Sequence, residues 1–176
     1  MPAPSRVPTC FPILTSLLRV APAEIDVYGG ETSGEIEPVL IIREGRPQHL
    51  GLGSDHTDRG IERISIPHAK QLCPKVLSSE LWDFSDIVPR WDRLTIRSFS
   101  DGELYQEATL AELLRPPELT TIAPSTRIGT AILLCGTVPL KTPLKFGTRF
   151  RGELLDPDYG RSLRLEYVIR TLEPIL

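Results

Sequence analysis

Seventeen prolines in 176 residues constrain this chain more than any other feature. Each pyrrolidine ring fixes φ and removes a backbone donor, so proline is excluded from helix interiors and central strands. Spread along the chain, they predict many short elements and stiff turns instead of long helices. The strand signals agree. EIDVYGG at 24–30 reads as a strand ending in a Gly-Gly break. EIEPVLIIREGRPQHLGLG at 35–53 reads as two strands around a turn at Glu44-Gly45. LTIRSF alternates, Asp101-Gly102 supplies a type I′ turn, and ELYQ returns. GTAILLCGT at 129–137 reads as a buried strand, and 148–172 as two strands around a turn at 156–160.

Helical signals are few. Residues 54–64 begin with cap-forming side chains and predict a short helical turn. Residues 11–19 fit a strand or a short helix, and 66–77, with two prolines, a loop with a single turn. Residues 78–92 predict short amphipathic helices, with Ser79 as a cap and Trp82, Ile87 and Trp91 packing inward. TLAELLRPPEL predicts a short helix stopped by Pro116-Pro117. The expected fold class is therefore α+β and strand-rich, one domain over 1–176 with an extended lead-in at 1–10.

Composition narrows the function classes. A net charge of −3 without a basic stripe argues against nucleic acid as a partner. No apolar run approaches the ~18 residues of a membrane span. Cys10, Cys73 and Cys135 are odd in number and widely spaced. They read as reduced thiols of a cytoplasmic protein, serving as packing groups.

One region concentrates charge. ETSGEIE at 31–37 and SDHTDR at 54–59 hold three glutamates, two aspartates, a histidine and an arginine. On a strand, Glu35 and Glu37 share a face. Two close carboxylates repel, and one pKa rises unless a cation neutralises them. The hairpin would bring Asp55 near both, which would make three oxygen ligands for a hard cation such as Mg²⁺ or Mn²⁺. A solvated acidic surface is the competing reading, and His49, His56 and His68 default to surface or hydrogen-bonded histidines. If a cation binds, Arg59 is placed to hold a carboxylate in bidentate fashion. Lys70 is then placed to stabilise enolate charge.

These same residues carry a resemblance. SGEIEPVLI resembles the ExE strand of the fumarylacetoacetate hydrolase superfamily, and SDHTDRGIE resembles its NDxSARDxQ segment. CGT at 135–137 resembles its late TGTP-like segment. The ordered set GGETSGEIE, GSDHTDR, AKQLCPK, DGELYQEATLAELL, LLCGTVPL and ELLDPDYGR resembles an uncharacterised branch of that superfamily across nearly the whole chain. The resemblance implies a mixed β-roll, a homodimer, and Mg²⁺ or Mn²⁺ held at Glu35, Glu37 and Asp55. It implies Arg59 and Thr137 as substrate-binding residues and Lys70 as the active-site lysine. The implied substrate is a small 2-oxo or β-diketo carboxylic acid. The implied chemistry is C–C cleavage by decarboxylation or hydrolysis, or a related isomerisation or hydration.

The departures are specific. The interval from Glu37 to Asp55 is short, Glu62 stands where glutamine is frequent, and His56 replaces a bulky apolar residue. The upstream His–Glu pair that activates water has no match. Relatives of the branch carry a further segment before PSRVPT. His56 is the remaining candidate for proton transfer. A non-catalytic member that binds a metabolite or a partner is the alternative.

Overall fold

The structure is a computed structural model that describes residues 9–122 and 129–173. Most of the lead-in expected at 1–10 lies outside them. In chain order the strands are β1 (Leu18–Val20), β2 (Glu24–Tyr28), β3 (Thr32–Ser33), β4 (Ile36–Arg43), β5 (Arg46–Asp55), β6 (Thr57–Asp58) and β7 (Lys75–Leu77). There follow β8 (Trp82–Asp83), β9 (Thr95–Ser100), β10 (Glu103–Thr109), β11 (Thr130–Leu134), β12 (Arg149–Asp156) and β13 (Arg161–Leu172). The α-helices are α1 (Arg59–Glu62), α2 (Ile66–Ala69), α3 (Phe84–Ile87) and α4 (Pro116–Ile122), each short, as the prolines require.

One sheet runs β1-β7-β5-β4-β11, with β8 also paired to β5. A second runs β10-β9-β12-β13-β2, and β3 pairs β6 in a small third ladder. The core fills the space between the two large sheets. Ile36, Leu40, Leu50 and Leu52 come from the first, and Ile96, Phe150, Leu154 and Tyr167 from the second. Fully burying each such aliphatic side chain stabilises the fold by about 1.5–3 kcal/mol.

Both predicted tight turns form for local reasons. Glu44 and Gly45 take φ of 47° and 74°, and Asp101 and Gly102 take 49° and 85°. Positive φ at both central residues is the type I′ requirement, whose twist matches the flanking strands. The β4–β5 hairpin places Ile36 opposite Ser54 and Glu37 opposite Gly53. A side chain at Gly53 would put its Cβ 2.6 Å from Val39 Cγ2 and 3.3 Å from the Val76 carbonyl oxygen. Gly53→Ala is therefore expected to cost about 1–3 kcal/mol, seen as a lower denaturant midpoint.

Four local expectations need correction. Residues 75–77 are not loop: β7 pairs with β1 and β5. Ser79 does not cap a helix; α3 starts at Phe84 after Asp83, although Trp82, Ile87 and Trp91 are buried as expected. The helix expected before Pro116-Pro117 is only a 3-10 turn, Leu110–Glu112, and the two prolines open α4. The first helical turn needs no proline N–H, so the ring is tolerated there. Finally, β11 is not a buried strand. It pairs only with β4 at the sheet edge, and Ile132 is 39% exposed.

Candidate metal centre

The hairpin gathers the three predicted carboxylates. Glu35 precedes β4, Glu37 lies on β4, and Asp55 ends β5. The Asp55 N–H donates to the Glu35 carbonyl at 2.9 Å, which closes the open end of the hairpin. One oxygen from each of Glu35, Glu37 and Asp55 lies within 4.8 Å of the others. The Ser33 and Thr57 pairing of β3 with β6 then leads the chain into α1. Asp58 caps α1 by accepting the Ile61 N–H at 2.8 Å.

Cations surround two of the three acids. Arg59 Nη1 is 3.0 Å from Glu35 Oε1 and 2.8 Å from Glu62 Oε2, and its Nε donates to Ser33 Oγ at 2.7 Å. Lys70 Nζ is 2.5 Å from Glu35 Oε2 and 2.7 Å from Asp55 Oδ2. Burial works against the Lys70 charge, but Glu35, Asp55 and Glu37 outweigh it and hold its pKa above the usual lysine range. Arg59 is likewise raised, with Glu35 and Glu62 outweighing its burial.

Lys75 belongs to this cluster and was not expected from sequence. Its ammonium is fully buried, 2.7 Å from Asp55 Oδ1, and donates to the His56 carbonyl at 2.5 Å. The pairing of β7 with β5 sets it opposite Asp55. The signal was a three-residue strand, Lys-Val-Leu, after a Cys-Pro step.

Glu37 stands apart. Among the ion pairs of the described residues it has none, and its Oε2 accepts the Gly136 N–H at 2.7 Å. Burial, then Asp55 and Glu35, push its pKa up to about 8. Asp55 Oδ1 is buried and accepts no hydrogen bond, with Lys75 near it only as an ion pair. A buried carboxylate without a counter-ion and an orphaned carboxylate oxygen fit an oxygen-ligated divalent cation.

His56 is placed differently from the rest. It is fully buried, and its Nδ1 and Nε2 are each 3.0 Å from a hydroxyl, of Tyr167 and Thr32 respectively. Burial, then Lys75 and Arg59, lower its pKa to about 3. The ring is neutral at physiological pH and bridges the two sheets through Tyr167. His49 and His68 lie on the surface, against Asp83 and Ser65. Two of the three thiols behave as packing groups: Cys73 and Cys135 are buried, with burial raising Cys73 to about 11, whereas Cys10 is exposed.

A cavity of about 320 Å³ opens beside the carboxylates. Its polar lining is Glu35, Arg59, Gln106 and Thr137, and its apolar lining Val138, Pro139, Leu140 and Leu144. Thr137 Oγ1 donates to the Ile36 carbonyl at 2.8 Å and accepts from Gln106 Nε2 at 2.8 Å. Its proton is spent on the backbone, so the hydroxyl offers a ligand only an acceptor. Gln106, also unforeseen, is pinned further by the Ile36 N–H and the Val138 carbonyl.

The two shifted groups make opposite contributions to stability. Between about pH 4.5 and 8 the unfolded chain releases the Glu37 proton while the fold keeps it, so stability falls as pH rises. Between about pH 3 and 6.5 the unfolded chain protonates His56 while the fold does not, so stability rises. From pH 6.5 to 8 Glu37 acts alone. Metal-free protein is expected to lose stability across that window, and Glu37→Gln to abolish the loss, measured by urea denaturation at each pH.

No curated protein matches the chain by sequence. Solved structures match by fold. 5-Carboxymethyl-2-hydroxymuconate delta-isomerase from Mycobacterium smegmatis is 16% identical at a TM-score of 0.66, with 89% of this chain and 66% of that chain covered. Maleylpyruvate hydrolase from Sphingobium sp. SYK-6 is 18% identical at a TM-score of 0.67, with 90% and 64% covered. Yeast ynq8, a fumarylacetoacetate hydrolase family protein, is 17% identical at a TM-score of 0.66, with 90% and 84% covered. The chain thus spans just under two thirds of the isomerase and of the hydrolase. No helix among the described residues is long and apolar enough to cross a membrane. A family model described as "Protein of unknown function (DUF2848)" matches residues 1–167. That match takes in every residue of the carboxylate cluster, and the chain belongs to the DUF2848 family, built on the fold seen in fumarylacetoacetate hydrolase proteins.

Proposed function

We propose that this chain is a divalent-metal-dependent enzyme acting on a small 2-oxo or β-diketo carboxylic acid, cleaving a C–C bond by decarboxylation or hydrolysis. The observation that carries the reading is the trio Glu35, Glu37 and Asp55, with oxygens within 4.8 Å of one another, of which Glu35 lines a cavity together with Arg59. The fold neighbours named as an isomerase of 5-carboxymethyl-2-hydroxymuconate and a hydrolase of maleylpyruvate support a small acid as substrate.

Glu35, Glu37 and Asp55 would hold Mg²⁺ or Mn²⁺, which supplies Lewis-acid polarisation of a substrate oxygen when bound. The chain's own residues do the rest. Ser33 takes the Arg59 Nε–H, and Glu35 and Glu62 take its Nη1, which fixes the guanidinium and leaves Nη2 as the donor for a substrate carboxylate. The Lys70 ammonium stays charged and stands by Glu35 and Asp55, where it favours negative charge developing on the substrate. His56 orders the hydroxyls of Thr32 and Tyr167 and has no free ring nitrogen for proton transfer. That last observation favours decarboxylation over hydrolysis. It also favours the second reading, a non-catalytic subunit that binds a carboxylate metabolite.

Calorimetric titration of Mn²⁺ into metal-free protein, followed by a turnover screen of 2-oxo and β-diketo acids, separates these readings. The enzyme reading expects saturable binding and release of a C–C cleavage product. Binding of metal and acid without turnover supports the non-catalytic reading. Absence of metal binding overturns both the metal centre and the reaction built on it.

A further inference from the structure

The cavity beside the carboxylates is divided by chemistry. Its charged lining residues are Glu35 and Arg59, with Gln106 and Thr137 the other polar ones. The rest of the lining is one apolar segment, Val138, Pro139, Leu140 and Leu144. Leu140 and Leu144 are 39% and 44% exposed, which is costly for leucine unless something covers them.

The apolar wall is held in place. Leu140 makes a β-bridge with Gln106, and the Lys141 N–H donates to the Tyr105 carbonyl at 2.8 Å. The Lys145 N–H meets the Tyr105 hydroxyl at 3.4 Å, and the Lys145 ammonium pairs with Glu103. Gln106 also grips the Val138 carbonyl at 2.7 Å. The wall is therefore tied to β10, the strand that supplies Gln106 to the polar lining. It is a preformed surface, and preformed apolar surface binds apolar ligand groups with little ordering cost.

Among the described residues that line the cavity, the apolar segment brings no cation for a second acid. Lys145 is committed to Glu103, and Lys141 is exposed but does not line the cavity. A carboxylate placed against Val138, Leu140 and Leu144 would be desolvated without a partner.

From this division we infer that the substrate is a monocarboxylic oxo-acid with an aliphatic tail, the tail lying on Val138, Pro139, Leu140 and Leu144. The inference rests on the proposed function, which supplies the oxo-acid head at the carboxylate cluster. Val138–Leu144 are then the residues that select among oxo-acids, and Leu140 and Leu144 carry most of the selectivity.

The test is a binding series on Mn²⁺-loaded protein, with oxalate as the head group alone. 2-Oxobutanoate, 2-oxohexanoate and 2-oxooctanoate add tail, and 2-oxoglutarate adds a second carboxylate. Affinity is expected to rise about threefold per buried methylene until the tail leaves the wall. 2-Oxoglutarate is expected to bind at least tenfold more weakly than 2-oxohexanoate. In Leu140→Ser/Leu144→Ser, the gain per methylene, read relative to oxalate in the same variant, falls towards one. Both residues are partly exposed, so the variant folds, as a retained denaturation midpoint will report. Oxalate binding with no dependence on tail length, or 2-oxoglutarate matching 2-oxohexanoate, overturns the inference and leaves the metal centre standing. Failure of oxalate itself to bind overturns the proposed function, and the tail assignment falls with it.

Discussion

Glu37→Ala removes divalent-cation binding and, with it, any metal-dependent turnover. Glu35 is met by Arg59 and Lys70, and Asp55 by Lys70 and Lys75. Glu37 has the Gly136 N–H and no ion pair among the described residues. It is 5% exposed, and its raised pKa reflects burial beside two other acids. Without a cation the fold holds a proton on Glu37, and a bound divalent ion would take that proton's place. Loss of an outer-shell partner of a metal ligand costs about 10–100-fold in affinity, so loss of the ligand itself is expected to exceed that range. Calorimetry with Mn²⁺ on wild type and variant is the measurement. Saturable binding of similar affinity in Glu37→Ala would place the cation elsewhere. Turnover that survives the loss of binding would remove the metal from the reaction.

Lys75→Met destabilises the fold by about 3–5 kcal/mol, the cost of breaking a buried ion pair from one side. The Lys75 ammonium is fully buried against Asp55 Oδ1 and the His56 carbonyl. Methionine fills much of the same volume but takes the cation from Asp55 Oδ1 and the ammonium donor from the His56 carbonyl. Lys70 still pairs with Asp55 Oδ2, which favours the lower part of that range. The measurement is the denaturant midpoint at pH 7 with and without Mn²⁺. A cation held partly by Asp55 is expected to raise the variant's midpoint by more than it raises the wild type's. An unchanged midpoint in metal-free Lys75→Met would show that Asp55 does not depend on this ammonium.

Lys75 also shows why part of the site was hidden. A stretch with two prolines and a three-residue strand carries too little periodicity to separate strand from loop. Its strand character comes from backbone pairing with β1 and β5, distant segments that no local pattern announces. His56 was hidden in the opposite sense. It was the candidate for proton transfer once the expected base pair was missing, but its ring is buried between the hydroxyls of Tyr167, from β13, and Thr32. Pro116-Pro117 misled because proline ends one helix and begins another equally well, and the residues on its C-terminal side decide between the two.

The sequence by itself determined the hairpins and, through one of them, the gathering of Glu35, Glu37 and Asp55. A type I′ turn at Glu44-Gly45 is a stereochemical property of two residues, and it brings the two ends of a short segment together. Arg59 and its cap at Asp58 belong to the same short span. Tertiary structure alone decided which acid is left without an ion pair, because Lys70 and Lys75 reach Glu35 and Asp55 across sheet and helix contacts but not Glu37. It also decided the shape of the cavity. Gln106, Thr137 and the wall at Val138–Leu144 meet the hairpin from about 70 to 100 residues away, through hydrogen bonds of Gln106 and Thr137 to Ile36. Contacts of that separation depend on the register of whole strands, which the summed burial of the core selects and no single motif encodes.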